Sequence, residues 1–147
     1  MHPFDIRSVL LAKHAQHVVF IHFPIALFLA GVLFDFLAQA TKRSAFAAAA
    51  YCNLMFAAIS TIPVVISGIL AWQWALEGQK LKGVLLMHLI LGCFTSVTIS
   101  FIWWIHRKAR LGTAFMPTVH RLGIEAVAAM LVMLTGHLGG FLSGVNA

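Results

Sequence analysis

The sequence predicts an all-α integral membrane protein, an up-down-up-down bundle of four transmembrane helices, and three observations carry that reading. First, 61% of the 147 residues are hydrophobic and only 10% are charged, against roughly 45 to 50% and about 25% in soluble domains. That excess of apolar side chains is more than a soluble core absorbs. Second, apolar runs of about 18 or more residues, the length an α-helix needs to cross the ~30 Å hydrocarbon layer, recur along the chain. Third, the connections between the runs are short, which makes successive helices antiparallel neighbours. The expected organisation is a single domain over residues 1–147, with spans at about 18–38, 45–76, 83–105 and 123–142 and almost nothing outside the bilayer.

Taken in order, residues 1–17 carry Asp5, Arg7, Lys13 and three histidines among Phe4, Val9, Leu10 and Leu11, a mixture that suits a short helix lying in the interface. The first span starts near Val18. It is too long for the apolar region of a signal peptide and lacks a small-residue cleavage site, so it is expected to remain as an anchor. Pro24 lies in its second turn, and Asp35 with the Thr41–Ser44 loop closes it. The second run is uncharged from Ser44 to Leu76. That exceeds what a bilayer requires, so it should tilt, kink at Pro63 or project beyond the hydrocarbon. Trp72 and Trp74 mark its interfacial end, as Trp103 and Trp104 mark that of the third span before the basic run His106 to Arg110. In the fourth span Glu125 stands one helical turn from Arg121, the spacing of an ion pair. Met130 and Met133 read as packing residues.

Ten Lys and Arg against four acids give a net charge of +6. The cations sit in loops between apolar runs, so they read as anchors to anionic headgroups, and no nucleic acid is expected as a partner. The first and third loops hold Lys42, Arg43, Arg107, Lys108, Arg110 and Arg121, and the opposite side holds Arg7, Lys13, Lys80 and Lys82. The positive-inside rule then places both termini on the periplasmic side of a bacterial inner membrane. Cys52 and Cys93 both lie within apolar runs, so no disulfide framework is expected, and the chain has no CxxCH for covalent haem attachment.

Eight histidines are many for so apolar a chain. His22 early in the first span, His88 early in the third and His137 late in the fourth fall at one depth of an alternating bundle, with His17 and His14 nearer water. Ionisable side chains within spans are costly and mark cofactor, ion or proton sites. Around them, Gly92, Thr95 and Ser96 make a small, polar stripe on the face of His88, and Gly136 and Gly140 form a GxxxG pair around His137. Pro24 has no N–H, which frees the carbonyl of Phe20 to orient a ligand histidine. A b-type haem held by two of His22, His88 and His137 explains imidazoles and glycines together. Each feature also has a plainer use: GxxxG packs helices, and an intramembrane histidine can simply hydrogen-bond in the core. His106 and His120 read as interfacial side chains beside Arg107 and Arg121, with a second haem at His106 as the alternative. Asp35 reads as a boundary carboxylate that snorkels to the interface, with a proton path as the alternative.

The run HVVFIHFPIALFLAGVLFDFLA, residues 17–38, resembles the DUF2231 family of predicted membrane proteins. The matching positions are His17 and His22 to Leu27, then Gly68 before Trp72, then His88, then Thr135, Gly136, Gly139 and Gly140. The resemblance covers nearly the whole chain. Val18 stands where the family has a proline after the first histidine, and Ala71 where it often has an acid before the tryptophan. Members similar to it occur joined to cytochrome c domains, so the resemblance implies respiratory electron transfer.

These features lead to an expected small b-type cytochrome-like subunit of a respiratory or photosynthetic complex, working with other membrane subunits or a cytochrome or quinol electron partner. Two other readings stay open. One is a structural, assembly or quinone-binding subunit; the other is a divalent-metal site or transporter with His22, His88 and His137 as ligands. No serine or cysteine nucleophile is paired with a base at matching depth, so no catalytic residue is assigned and an accessory role is expected rather than a stand-alone enzyme.

Overall fold

The computed structural model describes residues 15–74, 76–112 and 115–143, so the expected interfacial helix near the N-terminus lies almost wholly outside the described residues. Among the described residues there are four helices: α1 (Ala15–Thr41), α2 (Ser44–Trp74), α3 (Gly83–Leu111) and α4 (Val119–Leu142). Each is long and apolar enough to cross a membrane. A helix satisfies its backbone N–H and C=O groups within its own segment, which hydrocarbon demands. Each helix packs against its sequence neighbours and α4 returns to α1, closing a four-helix bundle. The end with the α1–α2 and α3–α4 connections is called the basic end, and the end with the α2–α3 connection the terminal end.

Several boundaries differ from the sequence expectation: α1 runs from Ala15 to Thr41 rather than 18–38, α2 is shifted by one or two residues, and the largest differences lie at the basic end. α3 continues through the basic run to Leu111 instead of stopping near Ile105, and α4 begins at Val119 rather than Gly123. Lys and Arg lay their stems along the helix and carry their charge outward, so basic residues need not end a span. Lys108 and Arg110 also sit in the last turn of α3, where the helix dipole favours cations. Lys108 lies 5.0 Å from the Trp104 ring centre, and Arg110 crosses to the Tyr51 ring on α2 at 4.5 Å. The start of α4 is capped by Thr118, whose hydroxyl accepts from the Arg121 N–H at 3.3 Å.

The core draws Phe28 and Val32 from α1, Leu54, Ala57 and Ala58 from α2, Ile99 and Ile102 from α3, and Ala128, Ala129 and Val132 from α4. Its alanines are small because bilayer helices gain from close approach rather than from escaping water. α1 and α2 come closest: a Cβ on Gly31 would stand 2.8 Å from Leu54 Cγ. Large apolar side chains such as Ile62, Val97 and Val127 are instead more than half exposed and face the lipid. At the terminal end Gly78 takes φ +63°, and the Trp72 indole N–H donates to the Gln79 carbonyl at 2.9 Å, closing the turn between α2 and α3.

Candidate functional site

At the terminal end all four helices contribute to one histidine pair. His17 on α1 and His88 on α3 face each other edge to face, with ring centres 6.5 Å apart. The partners of His17 settle its tautomer. Ser67 has one hydroxyl proton and donates it to the Val64 carbonyl at 3.0 Å. Its oxygen lies 3.0 Å from His17 Nδ1 and, with the hydroxyl proton given to Val64, accepts from it. Nδ1 carries the hydrogen, and Nε2 of the neutral ring keeps a free lone pair. Nδ1 of His88 is buried without a hydrogen-bond partner. Each ring rests on a glycine of the neighbouring helix: a Cβ on Gly68 would stand 3.0 Å from His17 Cε1, and one on Gly139 3.1 Å from His88 Cε1. Below them, the hydroxyls of Thr95 and Thr135 join α3 to α4 at 2.8 Å.

The other residues singled out from sequence are placed differently. His22 is exposed and bonds the Val18 carbonyl of its own helix at 2.6 Å, so the contacts that join His17 and His88 do not include it. His137 is also exposed, edge to face with Phe141 at 4.9 Å between ring centres. Pro24 is buried. Gly136 packs on Ile25, a Cβ on Gly92 would meet nothing within 4 Å, and the Gly140 carbonyl accepts from the Ser143 hydroxyl at 3.0 Å.

A second cluster lies at the basic end. His106 Nε2 stands 2.5 Å from Asp35 Oδ2 and 3.2 Å from Glu125 Oε1. Arg121 reaches the same two carboxylates at 3.5 Å and 3.6 Å. Asp35 and Glu125 are fully buried and His106 is 4% exposed. The Arg121–Glu125 pair is thus present as the sequence spacing predicts. His106 and Asp35, read as interfacial, are interior residues. The physical reason is the extra length of α3: because the helix runs on to Leu111, His106 lies within it, on the face turned to α1. One ligand atom each from Asp35, His106 and Glu125 fall within 4.8 Å of one another, a set with metal-ligand chemistry.

A family described as a predicted membrane protein, DUF2231, matches residues 13–145. The chain belongs to the DUF2231 family. No curated protein and no solved structure matches this DUF2231 chain. The positions that carried the sequence resemblance converge in space: His17 rests on Gly68, and His88 rests on Gly139. The buried cluster of the DUF2231 chain was missed as a unit. The available signal was four ionisable residues, one on each of α1 and α3 and two on α4, all at the basic end; single carboxylates and histidines near span ends resemble ordinary boundary residues.

Proposed function

We propose that this DUF2231 protein is a small subunit of a bacterial inner-membrane electron-transfer complex and binds a b-type haem between His17 and His88. The observation that supports it is the spacing of the pair. Two imidazoles coordinating one metal at about 2 Å each set their ring centres roughly 6 Å apart, and the observed separation is 6.5 Å. The residues present fit the group: a lone pair on His17 Nε2 oriented by Ser67, a buried unpartnered nitrogen on His88, and glycines that leave room beside both rings. Two nitrogens alone leave a bare divalent ion short of ligands, whereas a porphyrin brings four of its own. Bound haem supplies one-electron redox chemistry. The chain's residues supply the rest: Ser67 holds the His17 tautomer, and Gly68 and Gly139 set ring position. Electron partners would be a quinol or a cytochrome, docking on the termini side, taken as periplasmic from the loop charges.

The test is a dithionite-reduced minus air-oxidised spectrum of the purified full chain, with a pyridine haemochrome assay, on wild type and on His17→Ala, His88→Ala, His22→Ala and His137→Ala. Sharp low-spin b-type bands, lost in the first two variants and kept in the last two, are the expected result. A featureless wild-type spectrum after haem is supplied would sink the reading and favour a structural or quinone-binding subunit. Bands that depend on His22 or His137 instead would move the ligands.

A further inference from the structure

The basic-end cluster is independent of the haem reading and has chemistry of its own. Three helices each turn one ligand-type side chain inward there: Asp35 from α1, His106 from α3 and Glu125 from α4. Asp35 and Glu125 are fully buried and His106 is 4% exposed. His106 Nδ1 lies 2.9 Å from the Ile102 carbonyl, which can only accept, so in the neutral ring Nδ1 carries the hydrogen. Nε2 then presents its lone pair to Asp35 Oδ2 and Glu125 Oε1. A backbone carbonyl behind the imidazole is the usual outer partner that fixes a metal-binding histidine.

Lone pairs that converge in this way need a cation among them. Arg121 stands beside the cluster rather than within it, at 3.5 Å and 3.6 Å from the two carboxylates and with its Nε buried without a hydrogen-bond partner. A proton bridges one pair of atoms at a time, whereas three oxygens, Asp35 Oδ1 and both of Glu125, are buried without a hydrogen-bond partner. One metal ion joins all three side chains. Ligands at about 2.0 to 2.2 Å round a tetrahedral centre stand roughly 3.3 Å apart, and Nε2 and Glu125 Oε1 stand at 3.2 Å. Asp35 Oδ2, at 2.5 Å from Nε2, is too close to share the ion unmoved, so Asp35 draws back slightly or ligates through Oδ1.

The ligand types select the ion. Imidazole with two carboxylates suits a zinc-type divalent ion and leaves a fourth position for water, while Ca²⁺ and Mg²⁺ take shells of oxygen. A dication, two carboxylates and a neutral imidazole also sum to zero charge, which a membrane interior favours. Arg121 is then one cation too many, and it has somewhere to go. It lies in the first turn of α4 at the basic end, its side chain is 10% exposed, and a cavity between α3 and α4 reaches it and Glu125 from beside Thr118 and His120.

We propose that Asp35, His106 and Glu125 bind one divalent transition-metal ion of the zinc type inside the bundle, and that Arg121 is its built-in competitor, which holds the carboxylates until the ion displaces it toward the headgroups.

The experiment is a Co²⁺ titration of the full chain, prepared without haem or a polyhistidine tag and held in lipid nanodiscs, followed by the visible d–d bands and then by displacement with Zn²⁺. Wild type should bind one Co²⁺ per chain and release it to Zn²⁺. Asp35→Asn and Glu125→Gln, which keep shape and remove charge, should weaken binding by more than the roughly 10 to 100-fold that loss of an outer residue costs. Arg121→Gln keeps all three ligands and should tighten binding severalfold, a gain that misfolding cannot imitate. His88→Ala should bind as wild type does. No stoichiometric Co²⁺ in wild type, binding that survives Glu125→Gln, binding lost in His88→Ala, or affinity left unchanged or lowered by Arg121→Gln would each overturn the proposal. With haem absent and His88→Ala included, none of these outcomes bears on the terminal-end site.

Discussion

His106 Nε2 and Asp35 Oδ2 meet at 2.5 Å across the interior of the bundle, although 71 residues separate them in the chain. The contact ties α1 to α3, which are not sequence neighbours in the bundle and whose rings His17 and His88 meet at the other end. Removing one member of a buried charge network strands the others, at a cost of about 3 to 5 kcal/mol. Asp35→Ala should therefore unfold the bundle at clearly lower denaturant in a detergent titration, whereas Arg107→Ala, an exposed cation nearby, should not. Asp35→Ala combined with Arg121→Ala should cost less than the two effects added, because the pair shares partners.

The glycines under the histidine rings make a separate prediction. Gly68→Ala and Gly139→Ala place a methyl 3.0 Å and 3.1 Å from the Cε1 atoms of His17 and His88, displacing rings that a ligand needs in place. Loss of such positioning typically costs roughly 10 to 100-fold in affinity. Haem titration of the purified variants should show a weakening of that order, and Gly92→Ala, whose new methyl meets nothing within 4 Å, should bind as wild type does.

Ser67 has a subtler role. Its oxygen accepts from His17 Nδ1 at 3.0 Å and so keeps the lone pair on Nε2. Ser67→Ala removes that acceptor while leaving both rings and both glycines. Haem affinity should fall by roughly tenfold, with a shifted reduction midpoint in a spectroelectrochemical titration. An unchanged midpoint and affinity would show that the hydroxyl does not orient the ring.

Close packing of α1 on α2 can be tested away from either site. Gly31→Ala drives a methyl to 2.8 Å from Leu54 Cγ, and overpacking of this kind costs typically 1 to 3 kcal/mol, about that range being expected here. Thermal unfolding in detergent should register the loss, and Leu54→Ala in the same chain should recover part of it by opening space for the new methyl.

The histidine pair was half legible before the structure. Depth along each span identified His88 and put His17 just above the layer, because 1.5 Å of rise per residue turns sequence position into height. Which histidine of α1 turns inward was not legible. His17 and His22 lie about 140° apart round the helix, and in a soluble bundle the polar face would show which one looks out. Lipid removes that cue, since the outward face is as apolar as the inward one. His22 consequently reads like His17 in sequence, yet is exposed and occupied by its own Val18 carbonyl.

By itself, the sequence determined that this protein crosses the membrane four times as an antiparallel helical bundle, because hydrocarbon admits only self-satisfied helices of a set length and short loops force neighbours to pair. Only the tertiary structure decided that His17 rather than His22 joins His88, and that Asp35, His106, Arg121 and Glu125 form one buried cluster. Helix rotation is the reason. Membrane depth follows from counting residues, but the direction a side chain faces depends on how four nearly uniform apolar cylinders turn against one another, and small residues such as Gly31, Gly68 and Gly139 set that turn through contacts that exist only once the helices have met.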